Sequence, residues 1–196
     1  MGLFNKKQEA SAQLSQKQIL ANTINGSRHN ILLVVAFTII NVILLATNSN
    51  TYFLFSAYVP YMLMDYGMYF GGMYPAEYYG EYFVAGMAQS KGFFLCMIAL
   101  IIVVLALYVL CWAFSKKNPK GWLIFALVLF GIDTVMLLVM LELSFDLILD
   151  YVFHGWVIVS LVKGISAIKK WNSLPEEEEV AEGEAIREAE VLSVEE

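Results

Sequence analysis

Residues 122–168 read WLIFALVLFGIDTVMLLVMLELSFDLILDYVFHGWVIVSLVKGISAI. As one unbroken helix this run would rise about 70 Å at 1.5 Å per residue, more than twice the ~30 Å hydrocarbon core of a bilayer. It is too apolar for a soluble surface helix and too long for a single span. The chain is therefore expected to turn near Glu142–Asp146, although no Gly or Pro marks the place. This divides the run into two spans, about 122–143 and 147–168.

Working outward, Ile31–Thr47 carries no charge, and Gly92–Ser115 carries none over 24 residues. Each is long enough to cross a membrane, given a tolerance of about 17–25 residues. The whole 196-residue chain is 59% hydrophobic and 15% charged, against about 45–50% and 25% in a soluble domain. The pattern predicts an all-α integral membrane four-helix bundle with spans at about 30–47, 92–114, 122–143 and 147–168. Three regions are expected: an N-terminal segment 1–28, a membrane domain 29–171 and an acidic tail 172–196. The first 28 residues are polar and lack the apolar run of a cleavable signal, and Lys6 does not fit a myristoylation motif. Cys96 and Cys111 lie about four turns apart in one span, so they cannot pair within it and read as packing residues.

Basic residues are strongly partitioned. Lys6, Lys7, Lys17 and Arg28 precede the first span, and Lys116, Lys117 and Lys120 separate the second from the third. Lys163, Lys169, Lys170 and Arg187 lie at or beyond the end of the fourth; only Lys91 falls on the other side. The positive-inside rule then predicts a multi-pass protein with both termini in the cytoplasm. The Asn25-Gly26-Ser27 sequon falls on the wrong side for glycosylation. From Asn172 onward, ten Glu and one Arg give the tail a formal charge of −9, leaving +3 for the rest of a chain whose total is −6. Such a segment has few apolar groups to bury and is expected to be solvated, or to dock on a basic partner.

The stretch 48–91, between the first two spans, is not a hydrophilic loop. It holds nine of the chain's eleven Tyr, with four Phe and five Met. Amphipathic rings favour the headgroup level of a membrane. Thr51–Met64 is too short to span and contains Pro60, so it predicts an interfacial or re-entrant helix. Gly67, Gly71, Gly72, Pro75 and Gly80 are expected to break the rest of the stretch into short pieces. The segment is expected either to lie as an aromatic belt on the outer leaflet or to cap the bundle as a lid or partner surface. Its methionines lack His or Cys companions, which argues against a soft-metal site. Gly67 and Gly71 form a small-residue pair, expected to be of little value for helix pairing at this position.

Ionisable groups inside such spans are costly and point to function. Glu142, Asp146, Asp150 and His154 succeed one another at four-residue intervals, which places them on one helical stripe. Depth divides them. Glu142 and Asp146 fit a wet outer turn, Asp150 sits at the boundary, and His154 lies roughly 10 Å in. Asp133 lies roughly 15 Å below the outer end of its span; Asn41 lies roughly 9 Å deep, with Thr38 one turn further. Asp133, His154, Asp150, Asn41 and Thr38 therefore make up the candidate intramembrane polar site. An Asp150–His154 hydrogen bond and an Asp133–His154 approach are both open to it. Three chemistries use such groups: a proton relay, a divalent-metal site, and acid–base hydrolysis within the membrane. The structural alternative is an interhelical hydrogen bond that pins the bundle.

No Walker loop, Gly-x-Gly-x-x-Gly, His-Glu-x-x-His or Cys-x-x-Cys occurs. The runs Ile24-Asn-Gly-Ser-Arg-His-Asn-Ile-Leu-Leu-Val-Val and His154-Gly-Trp, with Leu161-Val-Lys-Gly-Ile-Ser-Ala-Ile-Lys-Lys, resemble small four-span membrane proteins of Gram-positive anaerobic bacteria. That resemblance implies a bacterial plasma membrane and brings no activity, catalytic residue, cofactor or metal with it. The expected role is a partner-binding or accessory membrane component rather than an enzyme. Its partners would be the bilayer and a membrane protein or a second copy, and no nucleic acid. The alternatives are an oligomeric proton- or cation-coupled transport or channel subunit using Asp133 and His154, and a metal-dependent intramembrane enzyme using Asp133, Asp150 and His154.

Overall fold

A computed structural model describes residues 2–49, 51–79, 90–140 and 148–174, with side chains in the first helix described from Gln16 and that of Ala76 left aside. Five helices occur in order: α1 Gly2–Ala46, α2 Tyr58–Gly71, α3 Lys91–Phe114, α4 Pro119–Met140 and α5 Ile148–Trp171, with a 3-10 turn at Ala76–Tyr79. All the described regular structure is helical. Four of these helices are long and apolar enough to cross a membrane: the Gln16–Ala46 part of α1, and the whole of α3, α4 and α5. The protein is a multi-pass integral membrane protein built as a four-helix bundle. The turn expected at Glu142–Asp146, those two carboxylates, Gly80, Tyr82 and all of the acidic tail beyond Leu174 lie outside the described residues.

The bundle is apolar outside and more polar inside. Val139 is 71% exposed and Leu95 65%, whereas Thr38 and Asn41 are sealed at 1% or less. Lipid has no hydrogen bonds to offer, so apolar side chains face outward and polar ones must find partners within the protein. Phe130, Leu123, Val34, Val157 and Leu161 fill the centre. Cys111 is fully buried and Cys96 is exposed, and both are free thiols.

Helix ends are marked by local chemistry. The side chain of Ser90 caps α3 by accepting from the Phe93 N–H at 3.3 Å. Pro119 opens α4, where its missing N–H costs nothing. Gly72 closes α2 in the left-handed conformation, with φ 69°. One continuous helix runs from Gly2 through the N-terminal segment into the first span, because Gly26 alone, with no neighbour within 4 Å, does not interrupt it.

Two close approaches hold the helices. A Cβ placed on Gly164 of α5 would lie 2.5 Å from Ser27 Oγ and 2.6 Å from Ser27 Cβ of α1. A Cβ on Gly67 would meet Met97 Cβ at 3.0 Å, and one on Gly71 would meet Phe94 Cβ at 2.9 Å. The Gly67-x-x-x-Gly71 pair is thus the contact face by which α2 packs on α3, contrary to the low value expected of it. Nor do Gly67 and Pro60 break the helix. Pro60 falls in its first turn, where no intrahelical donor is lost, and Gly67 lies within it. α2 packs against α3 and α1, with Met64 and Met68 buried, so the described part of the aromatic segment covers one end of the bundle.

Candidate functional site

The site is built where the chain re-enters the bundle. After α1 ends at Ala46, residues 51–57 descend alongside it as irregular backbone with a bend at 54–55, and α2 starts back from Tyr58. A non-helical backbone at this depth has amide groups that neither helix nor water satisfies. Polar side chains of the spans supply the partners, one level at a time. Asn41 Oδ1 accepts from the Phe53 N–H at 2.8 Å, while its Nδ2 donates to the Phe53 carbonyl at 2.6 Å and to Ser56 Oγ at 2.8 Å. One turn lower, Thr38 Oγ1 accepts from the Ala57 N–H at 2.8 Å and donates to the Val34 carbonyl.

Asp133 completes the series. Its Oδ2 accepts from the Tyr58 N–H at 2.9 Å and its Oδ1 from the Val59 N–H at 2.8 Å. These are the first two amides of α2. The residue at the cap position is Ala57, which has no side-chain acceptor, so α2 has no cap of its own. A carboxylate from α4, 75 residues away in sequence, serves instead. Both its charge and its oxygens suit the positive end of a helix.

His154 of α5 stands on the other side of this carboxylate, with Nε2 3.3 Å from Asp133 Oδ2. Its Nδ1 lies 2.8 Å from the Asp150 backbone carbonyl. The carbonyl only accepts, which makes Nδ1 a donor. One proton between Nε2 and Oδ2 satisfies the pair, whose side chains are both at most 3% exposed. Phe130 stacks on the imidazole at 5.0 Å and Phe153 meets it edge-on at 6.0 Å, which keeps the ring in place.

Asp133 and His154 therefore do converge. Asn41 and Thr38 belong to the same series but bind the re-entrant backbone rather than Asp133. The anticipated side-chain bond between Asp150 and His154 does not form. The imidazole takes the Asp150 carbonyl oxygen instead, as the i to i−4 geometry of a helix allows. The Asp150 carboxylate points elsewhere; it is 5% exposed, and its Oδ1 has no hydrogen-bond partner among the described residues. No group of three His, Cys, Asp or Glu that could hold a metal occurs among the described residues, so the triad of Asp133, Asp150 and His154 does not form a ligand set.

Sequence reasoning missed several contributors. Ser56 links Asn41 to Tyr52, whose hydroxyl lies 3.0 Å from Ser56 Oγ. Burial raises the Tyr52 phenol above its usual range, so it stays neutral at ordinary pH. Phe55 adopts φ 77°, a costly conformation for a bulky residue. Its ring packs edge-on against Phe153 at 4.2 Å and near Phe37 at 5.9 Å, which offsets the strain. At the opposite, basic end, Arg28 is 9% exposed and donates to Ser115 Oγ at 2.7 Å and to the Trp112 carbonyl at 3.4 Å. Ser27 and Asn30 bond to the Ser160 carbonyl and hydroxyl at 2.7 and 2.6 Å.

No protein-family model matches the chain, and no match was found among the curated proteins or the solved structures.

Proposed function

We propose that this is a binding component of a bacterial plasma membrane whose bundle serves to present the aromatic cap to a membrane-protein partner. The observation that carries the reading is the use made of Asp133. Its oxygens bind Tyr58 and Val59, so this buried intrabundle carboxylate is engaged in holding the cap. The cap in turn exposes Tyr66, Phe70, Met73 and Tyr78, the last at 62%. Aromatic and Met side chains of this kind suit a protein interface. Eleven of twelve basic residues support an orientation with the basic end in the cytoplasm and the cap outside.

The test is site-specific photocrosslinking in native membranes. A photoreactive residue at Tyr78 should capture one discrete partner, while one at the lipid-facing Val135 of α4 should not. Equal capture from both positions, or capture from neither with a monomer in mild detergent, overturns the reading.

The proton held between His154 and Asp133 favours a second reading, an oligomeric proton- or cation-coupled transport subunit. It requires flux in liposomes that Asp133→Asn abolishes. Flux that is absent, or unchanged in the variant, removes it.

A further inference from the structure

We propose that the cleft between α2, α4 and α5 is a binding site for an organic ammonium group, held by the Asp150 carboxylate among tyrosine rings. The cleft has a volume of about 400 Å³, and Tyr52, Tyr61, Tyr66, Asp65, Leu137 and Asp150 lie in its wall. This is within the range of small-ligand sites. Tyr52 and Tyr61 stand edge to face, with centroids 5.2 Å apart and planes at 83°, and so form an aromatic corner.

Charge selects the class of ligand. Among the described residues two carboxylates line the cleft, and no Lys, Arg or His does. Asp65 is engaged with the Tyr74 hydroxyl. Asp150 is the unusual one: it is nine-tenths buried, yet its Oδ1 has no partner. A buried carboxylate without compensation is costly. His154, one turn along the same helix, faces Asp133 instead. No basic side chain among the described residues lines the cleft beside Asp150, so its carboxylate is left one positive charge short.

The lining also decides what kind of cation fits. A hard metal ion needs several converging oxygens, and among the described residues no three acidic, His or Cys groups come together. Ring faces and Leu137 suit a cation with a hydrocarbon surface, for which aromatic cages and a carboxylate are an effective combination. Position narrows the source to two. Leu137 lies in the last described turn of α4 and Asp150 in the first described turn of α5. Tyrosine rings such as Tyr52, Tyr58, Tyr61 and Tyr66 in the cleft wall favour the level of lipid headgroups. The ammonium is then either that of an aminophospholipid or that of a free small amine.

The inference goes beyond partner binding and does not depend on it, since capture at Tyr78 and ammonium binding are read out separately. The experiment measures thermal unfolding of the purified full chain. One arm is in detergent, with tetramethylammonium or ethanolammonium chloride against potassium chloride at equal ionic strength. The other is in nanodiscs of phosphatidylethanolamine against phosphatidylglycerol. Stabilisation by the free amines assigns a soluble ligand, and stabilisation by the aminophospholipid alone assigns a headgroup. In either case Asp150→Asn should weaken apparent affinity at least tenfold and Tyr61→Leu several-fold. Without ligand, Asp150→Asn should unfold at a temperature no lower than the parent, because it removes an uncompensated charge. A purely structural Asp150 would give the opposite sign. No stabilisation in any arm, or equal stabilisation in folded Asp150→Asn, overturns the proposal.

Discussion

Each end of the bundle buries a charge, and each charge sits on a helix terminus of opposite polarity. Asp133 binds the first amides of α2 at the aromatic end. Arg28 binds Ser115, which caps α3, and the Trp112 carbonyl in that helix's last turn at the basic end. The pairing obeys the helix dipole in both cases. The difference lies in what would replace the charge if it were lost. The Trp112 carbonyl already accepts from Ser115 Oγ at 2.7 Å, and Arg28 retains some exposure. Among the described residues the Tyr58 and Val59 amides have only Asp133, which is 2% exposed. A buried charge with substitutes tightens a contact, whereas one without them makes the local fold depend on it.

The largest effect should therefore come from Asp133→Ala. It removes both acceptors of α2 and leaves His154 Nε2 without its partner, a loss of about 3–5 kcal/mol by the usual cost of breaking a buried pair. Denaturant unfolding in detergent measures it, and faster amide exchange at Tyr58 and Val59 would place the damage at the cap. Asp133→Asn keeps one acceptor and should lose less, about 1–3 kcal/mol. If alanine and asparagine were equivalent and both mild, the carboxylate would not be what holds the re-entrant segment.

Next in size is Gly164→Ala, which tests the basic end by sterics rather than charge. The added methyl would meet Ser27 Oγ at 2.5 Å and Cβ at 2.6 Å. Forcing α1 and α5 apart should cost about 2 kcal/mol. Ser27→Ala should not rescue it, because the Cβ clash remains, whereas Ser27→Gly should. Rescue by Ser27→Ala would mean that the hydroxyl alone sets the helix separation. Arg28→Gln should cost less, about 1 kcal/mol, since water and Ser115 can take over its contacts. A loss as large as that of Asp133→Ala would abolish the distinction between the two ends.

The sequence made one half of this comparison visible and hid the other. Long uncharged runs read directly as spans, since length and hydropathy are what a bilayer selects. Asp133, His154, Asn41 and Thr38 stood out because polar groups are rare in such runs. Their partners did not stand out, because they are backbone amides of Phe53, Ala57, Tyr58 and Val59. Any residue but proline supplies an amide, so nothing in the side chains advertises it. Ala57 at the cap position gave the only local hint, a helix start without a polar cap. Arg28 was hidden differently: as one of several basic residues before a span it served only to set the expected orientation. Gly164 and Ser27 likewise gain meaning only when α1 and α5 are brought together.

The smallest effect expected is the coupling between the two ends, and it is the most informative about α1. That helix carries Thr38 and Asn41 at the aromatic end and Ser27 and Arg28 at the basic end. Thr38 and Arg28 are ten residues apart, about 15 Å along the axis. The two clamps share no side-chain partner, so Asp133→Asn and Arg28→Gln should add in the double variant to within about 0.5 kcal/mol. Unfolding of the four members of the cycle in one detergent provides the measurement. A coupling energy well above that would mean that α1 shifts as a rigid rod when either clamp is released. The capping of α2 and of α3 would then be two readings of one α1 position rather than independent contacts.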